Sequence, residues 1–380
     1  MLDALSAREG GGQTYLRNLL RFEPPPSISD LTVVATGGLR LDGAAARVER
    51  VDVPASVGRP LLRASWGRTA LNRVLRESDA DVLFTPGGLV PGSDEERRTI
   101  VTMVRNLLPF DRPERARYPL GYTRLRTAML EPMMIRSIVR SHLVIFVSEH
   151  ARDLLSHRLG ERMPHNVVIP HGVDESFRNN PVSGARPSWL PDGEYLLYVS
   201  NIEPYKSQLE VVRGFALLKR LVPFSGSLVL VGRESCRRYT NIVRDEVAKL
   251  GLAKDVVFTG TVCHEELPRA YHNALVVIFA SRCENCPNVL LEAMASGRPV
   301  VASSRAPMPE FAGDSVTYFD PERPSGLADA VRGLLLDKPR RAEMARLAAI
   351  RTETFQWSAT ASRTWEAIAD AAAAKGCNDE

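Results

Sequence analysis

One rhythm, played twice, constrains the fold of this 380-residue chain more than any other feature. Up to about residue 178, short apolar and β-branched runs recur: LTVVAT, ARVERVDVP, DVLFTPG, RTIVTMV, HLVIFVS and NVVIP. Helices predicted at roughly 61–77, 122–140 and 151–159 separate several of them. NNPVSGARPSWLPDG, residues 179–193, is rich in turn formers and reads as a linker. The rhythm then restarts as EYLLYVS, SLVLVG, DVVFTG, LVVIFA, PVVAS and VTYF, between about Glu194 and Phe355. Strands alternating with helices imply an α/β fold, a mostly parallel sheet covered by helices. Two such blocks predict two domains, 1–178 and 194–355. Ligands are then expected in a cleft where the carboxyl ends of the strands face each other.

Composition narrows the class. Hydrophobic content of 44% and charge of 25% are those of a soluble globular chain with material for two cores. No apolar run approaches the roughly 18 residues of a membrane span. No charged-then-apolar leader is seen at Met1, which argues against secretion. Five scattered cysteines suit a reduced compartment, so a cytoplasmic location is expected. The formal charge of +4 is too mild to point to nucleic acid, but its distribution is uneven. Between Arg97 and Arg140 there are ten arginines, no lysine and three acids (Asp111, Glu114, Glu131). In YTRLRTAMLEPMMIRSIVRS the cations interleave with apolar residues. That pattern reads either as a solvated basic face over a core helix or as a peripheral contact with anionic lipid at the inner face of a membrane.

The chemistry concentrates in SRCENCPNVLLEAMASGRPVVASS, Ser281 to Ser304. Glu284 falls on a loop. Pro287 suits the first helical position, where its missing N–H costs nothing and its φ is already helical. VLLEAMA favours helix, Gly297 is a natural stop, and Pro299 cannot continue it, so VVAS is the next strand. Glu292 then sits in the second turn, eight positions after Glu284. Open N–H groups around Asn285, Cys286, Pro287 and Asn288, with the helix dipole, favour an anion such as pyrophosphate. Carboxylates suit the hydroxyls of a ribose or a sugar. Together they ask for a nucleotide-sugar. The plainer alternative is a surface loop and an amphipathic helix with two solvated acids. Cys283 and Cys286 also form a CxxC, readable as metal or redox chemistry, but no second Cys pair accompanies it.

With its flanks, ENCPNVLLEAMASGRPVVAS carries a Glu-x7-Glu signature and resembles the retaining glycosyltransferases of family 4. The resemblance implies the GT-B fold, two Rossmann-like domains with an interdomain cleft. It places Glu284 by the hydroxyls of the donor sugar and Glu292 on the nucleotide ribose. In YVSNIEPYKSQLEVVRGF, Lys206 matches the lysine of a basic pair that holds the donor pyrophosphate. Asn201 stands where many members have arginine, and Arg233 of VGRES is the candidate replacement. A cation there stabilises the leaving group.

Other segments extend the resemblance. MLDALSAREGGGQTYLRNLL opens with almost no strand, so the first strand is expected to be cut short, ahead of a helix from Thr14 to Leu20. Gly10, Gly11 and Gly12 let backbone N–H groups approach a ligand, by resemblance the donor phosphates or the acceptor. A simple helix-entry turn is the alternative. In TIVTMVRNLLPFD, Arg105 and Asn106 stand where many members carry a His-Asp pair. No histidine base comes from this loop. The resemblance implies front-face transfer, in which the departing phosphate deprotonates the acceptor. Arg105 would hold an anionic acceptor or the phosphate and Asn106 a sugar hydroxyl, unless the loop is plain surface. Ser148 is a sound N-cap, His171-Gly172 a structural turn, and His264 is expected to cap a helix bearing Glu265 and Glu266. The tail, 356–380, is predicted as a helix that by resemblance crosses back onto the first domain; packing on its own domain is the alternative.

The function expected is transfer of a sugar from a nucleoside diphosphate to a hydroxyl of a glycan, lipid-linked glycan or small molecule. No cofactor is implied beyond the donor substrate. No Asp-x-Asp follows a strand, so no divalent metal is expected. A nucleotide-sugar epimerase or a phosphorylase on the same fold, and a non-catalytic sugar-binding protein, are the alternatives. A hydrolase with Glu284 and Glu292 as paired acids fits less well, because the second acid lies on the helix.

Overall fold

The computed structural model of the chain describes residues 1–7, 11–36, 44, 48–53, 74–90, 98–178 and 186–376. Gly10, Arg97, residues 61–73 of the first helix expected and residues 179–185 of the expected linker lie outside the described residues. The chain forms two compact units, one from Met1–Phe110, Gly121–Gly172 and Phe355–Glu380, the other from Asp111–Leu120 and Val173–Thr354.

In the first unit, seven strands form one sheet. They are β1 (Leu2–Asp3), β2 (Leu31–Thr36), β3 (Val48–Val53), β4 (Val82–Thr85), β5 (Thr99–Val104), β6 (Leu143–Phe146) and β7 (His165–Val168). Their order is β3-β2-β1-β4-β5-β6-β7, with every pairing parallel. β5 and β6 are buried along their whole length. Strands covered on both faces read as continuous apolar runs rather than alternating ones. β1 has only two residues yet lies mid-sheet, Leu2 pairing with both Val33 and Phe84. The following helix runs Gly11–Leu20, so it begins three residues before Thr14 and takes Gly11 and Gly12 into its first turn. A Cβ on Gly12 would stand 3.2 Å from the Ala7 backbone, tighter than ordinary packing. Ser148 caps the helix Glu149–Leu159, its Oγ accepting from Ala151 N at 3.1 Å.

The C-terminal helix Trp357–Gly376 belongs to this first unit. Thr360 Oγ1 donates to Pro170 O at 2.8 Å, Arg363 Nη2 to Val168 O at 2.8 Å and Trp365 Nε1 to Phe22 O at 3.3 Å. His171 is buried with its ring 5.4 Å from that of Trp357 and 5.2 Å from that of Tyr15. Beside it, a Cβ on Gly172 would collide with the Trp357 backbone, so the tail helix closes on a position that only glycine allows.

The second unit holds β8 (Tyr195–Val199), β9 (Ser227–Val231), β10 (Val256–Gly260), β11 (Val276–Phe279), β12 (Val300–Ser303) and β13 (Thr317–Phe319). Their order is β10-β9-β8-β11-β12-β13, again all parallel. Leu196, Tyr198, Phe215, Leu228, Ile278 and Leu327 belong to its buried core. The chain runs outward from β8 to β10 and then returns to β11, so the strand order reverses between β8 and β11, the point where open sheets of this kind commonly bind ligands.

The units differ from the expected domains. The boundary falls after Gly172 rather than 178, because the 173–178 segment is anchored forward. There Arg178 bonds Thr352 through its hydroxyl and carbonyl (3.0 and 2.8 Å), and Phe177 packs edge-on to Tyr271. Asp111–Leu120 also leaves the first block for the second. Tyr118 Oη donates to Glu203 at 2.6 Å, Arg282 Nε donates to Glu114 at 3.1 Å, and Arg117 pairs with Glu322.

Candidate functional site

The two loops that flank this reversal point of the second unit carry the most concentrated polar chemistry. After β8 comes the tight turn Pro204–Lys206, and Ser207, left-handed at φ 58°, then starts the helix Gln208–Leu221. Tyr198 Oη donates to Lys206 O at 2.5 Å, and Gln208 Nε2 donates to Asn201 O at 2.8 Å. After β11 the chain makes the Glu284 loop. Because β8 and β11 are neighbours, these loops meet, and the Lys206 ammonium pairs directly with the Glu284 carboxylate. Their side chains are 12% and 15% exposed, so the pair is largely withdrawn from water. The ammonium also lies 4.9 Å from the Tyr205 ring centre, within reach of its π face.

Asn201 is exposed beside this turn, with its carbonyl engaged by Gln208. Arg233 stands alongside, since Ile202 N donates to Arg233 O at 2.9 Å, and the Arg233 residue is exposed. On the other loop, Asn285 and Pro287 are buried, and the helix spans Asn288–Ala295. Pro287 is its N-cap at φ −81°, ψ 71°, one position before the first helical residue expected of it. That ψ is not helical, and the Pro287 carbonyl accepts the first turn's bond from Leu291 N at 3.1 Å. Asn288 N folds back onto Cys286 O at 2.9 Å. Gly297, at φ +63°, follows the helix end.

Glu292 points into a different environment. Burial pushes its carboxyl up to about 8, the Asp174 carboxylate pushes the same way, and the nearby Tyr271 hydroxyl, which makes no hydrogen bond of normal geometry, partly opposes them. Burial, then the Glu292 charge, drives the Tyr271 phenol well above its usual range. The upward shift favours the protonated acid, which can both donate and accept.

The CxxC gains no support as a redox or metal site. Cys236, Cys263, Cys283 and Cys286 form no disulfide. Burial first, then the Asp111, Glu284 and Glu114 charges, raises the Cys283 thiol well above its usual value, against the thiolate that such chemistry needs. Among the described residues no group of three His, Cys, Asp or Glu is placed to hold a metal ion. His264 does not cap a helix. It lies in the turn His264–Glu266 behind Cys263, with no side-chain cap bond, and its ring sits 5.4 Å from Phe177.

The remaining candidates lie in the first unit, at the ends of β1, β4 and β5. Arg105 Nε donates to Pro86 O at 2.7 Å and Nη1 to Gly11 O at 3.3 Å, with the guanidinium 5.4 Å from the Tyr15 ring centre. Burial lowers its pKa, and no carboxylate among the described residues pairs with it. Gly12 lies beside its Nη2. Asn106 is exposed, and its Oδ1 accepts from Leu108 N at 3.1 Å, which commits half of the amide to its own turn.

Four residues around these loops were not singled out in the sequence: Arg282 and Glu114, which pair across 168 residues of chain behind the Glu284 loop, and Asp174 and Tyr271 beside Glu292. Only the position of Arg282, two residues before Glu284, could have drawn attention to it.

Residues 10–177 match the model of glycosyltransferase family 4, and residues 193–337 match that of glycosyl transferases group 1. The chain belongs to glycosyltransferase family 4. Among its family 4 relatives is the D-inositol 3-phosphate glycosyltransferase of Paenarthrobacter aurescens, 31% identical over 61% of this chain and 58% of the relative. Another is the GDP-mannose-dependent alpha-(1-6)-phosphatidylinositol monomannoside mannosyltransferase of Mycobacterium tuberculosis, 31% identical over 55% of this chain and 58% of the relative. The match thus spans less than two thirds of these relatives' length. The crystal structure of Anabaena HepE with UDP-glucose superposes with a TM-score of 0.70 at 19% identity, over 96% of this chain and 97% of that one. That likeness shows the fold, GT-B with two Rossmann-like domains.

The raised Glu292 carboxyl has a consequence for stability. Above about pH 4.5 the unfolded chain loses the proton that the folded state keeps up to about pH 8. The stability contribution is therefore full below the lower value and declines as pH rises to the upper one. Thermal melts of wild type and Glu292→Gln should diverge, with the variant gaining a few degrees relative to wild type between about pH 5 and about pH 8.5. A difference that stays constant with pH contradicts the assignment.

Proposed function

We propose that this family 4 chain is a retaining hexosyltransferase that moves a sugar from a nucleoside diphosphate to an acceptor hydroxyl, working in the cytoplasm. The observation that carries this reading is the Lys206–Glu284 pair at the reversal point of the second unit. A donor diphosphate is a stronger anion than one carboxylate and competes for the same ammonium. Its arrival releases Glu284 to accept hydrogen bonds from the donor sugar. Lys206 then neutralises the charge that develops on the leaving diphosphate, a role worth about 10²–10³ in rate when one such donor is removed. The bond from the anomeric carbon to the diphosphate oxygen breaks, and its electron pair stays on the diphosphate. The acceptor oxygen bonds that carbon from the same face, and its proton passes to the departing oxygen.

The other residues take supporting roles. Protonated Glu292 suits a vicinal diol such as a ribose. Asn201 leaves the second cation of the usual pair missing, and exposed Arg233 next to it is the replacement. Asn285, Cys286, Pro287 and Asn288 shape the donor loop. Gly11, Gly12, Arg105 and Asn106 form the acceptor side. Arg105 without a carboxylate partner suits an anionic acceptor, which agrees with the inositol phosphate and phosphatidylinositol in the names of the relatives. The complex of HepE with UDP-glucose supports a nucleotide-sugar donor. No divalent metal is required, because Lys206 and Arg233 supply the charge.

We further propose that the acceptor is met at an anionic bilayer. No helix among the described residues is long and apolar enough to cross a membrane, so the contact is peripheral. On the helix Tyr122–Val139, Tyr122, Leu125, Met129 and Met133 are 70%, 64%, 57% and 46% exposed and recur at helical spacing. Arg126 and Arg136 are exposed on the same helix, while Glu131 turns inward to pair with Arg158. An apolar stripe with cations and no exposed acid matches an anionic lipid surface.

Two experiments test these readings. A thermal-shift and turnover screen against nucleoside-diphosphate sugars should find a donor that raises the melting temperature and is consumed. Lys206→Ala and Glu284→Ala should each lower kcat/KM with it by about 10² or more, and wild-type rates in both remove the assignment. For the membrane, the full chain should sediment with phosphatidylglycerol vesicles but not with phosphatidylcholine vesicles. Leu125→Ser/Met129→Ser should abolish this, and equal sedimentation with both lipids contradicts it.

A further inference from the structure

Lys206 and Glu284 sit on two separate loops, each of which has to keep its shape for the pair to be useful. One side chain touches both loops. Arg282, two residues before Glu284, has its side chain 4% exposed. Its backbone N–H donates to Tyr205 O at 2.8 Å, and its Nη2 donates to Pro204 O at 2.6 Å. The Glu284 loop thus grips the Lys206 turn through two adjacent carbonyls. A buried guanidinium needs opposite charge. Glu114, 9% exposed, supplies it at 3.1 Å through Nε, with Glu210 at 3.6 Å from Nη1. Glu114 is itself fixed. Its N–H donates to Asp111 Oδ1 at 3.0 Å, and its other oxygen accepts from Arg117 Nε at 3.1 Å. The same segment reaches the turn a second time, where Tyr118 Oη donates to Glu203 Oε2 at 2.6 Å.

We propose that Arg282 and Glu114 form a positioning pair that holds the Lys206 turn and the Glu284 loop in register. Neither residue touches substrate. The fork of Arg282 spans a carboxylate and a carbonyl at once, which a lysine ammonium of similar length does not reproduce. The segment Asp111–Leu120 therefore acts on the donor-binding pair from a place in the chain far from either loop. Its effect on turnover rests on the transferase reading above; its effect on loop order does not.

The test uses the full chain with Arg282→Lys, Glu114→Gln and the paired neutral variant Glu114→Gln/Arg282→Met. Three quantities are measured: thermal midpoint, hydrogen exchange of residues 203–207 and 281–287, and kcat and KM with the donor found in the screen. Arg282→Lys should speed exchange in both loops while strands β8 and β11 stay protected. It should lower kcat by about tenfold or more with KM for the donor little changed, because misplacement by about 1 Å falls on the transition state. The paired variant removes both halves of the closest buried pair together, leaving only the half-buried Glu210 and Arg117 to find other partners, so it should regain part of the thermal midpoint that Arg282→Lys loses, yet its kcat should remain low. If kcat recovers along with thermal midpoint, the pair is merely structural and the proposal is overturned. Wild-type exchange in both loops of Arg282→Lys also overturns it. If wild type consumes no donor, the transferase reading fails instead, and exchange alone decides the positioning claim.

Discussion

Opposite charges can leave water only together, and the active end of the second unit is arranged around that constraint. A lysine ammonium or a glutamate carboxylate buried alone costs several kcal/mol, so Lys206 and Glu284 are stable there because each neutralises the other. The order of the sheet makes this encounter possible. β8 and β11 are adjacent although β9 and β10 lie between them in the chain, and their carboxyl-end loops have nowhere else to go. In the proposed function, a ligand that brings its own negative charge takes the place of Glu284 on the ammonium.

The surroundings of Glu292 show the opposite solution to the same problem. Burial and the nearby Asp174 carboxylate raise this carboxyl to about 8, which favours its neutral form. Two acids eight positions apart in one motif thus have different surroundings, one paired with a lysine and one raised by burial and a neighbouring aspartate. In the proposed function the difference suits the two ends of a nucleotide-sugar, the paired acid facing sugar hydroxyls and the raised one a ribose diol. Arg105 in the first unit is a third case. It is a cation held by two backbone carbonyls and a tyrosine ring rather than by a carboxylate.

The strands were legible because parallel strands buried on both faces must be written in apolar, mostly β-branched runs, and all twelve runs singled out in the sequence are strands. Spacing and flanking residues singled out the two glutamates and Lys206, and the fold brings Lys206 and Glu284 together. What the residues did not announce depends on contacts between distant segments. Asp111–Leu120 joins the second unit through Glu114 and Tyr118, whose partners lie far along the chain. Pro287 was misplaced by one position because its carbonyl, rather than its ring, defines the helix start. His264 carried a polar side chain at a helix start, but its ring packs against Phe177 instead. Local chemistry thus marks where a site is, and long-range ion pairs decide how it is held.

The most direct measurement is a crystal structure of the full chain with a nucleoside diphosphate. The account predicts a phosphate oxygen within about 3 Å of Lys206 Nζ, with the Glu284 carboxylate released from the ammonium. A diphosphate bound elsewhere, with Lys206 still on Glu284, would contradict it.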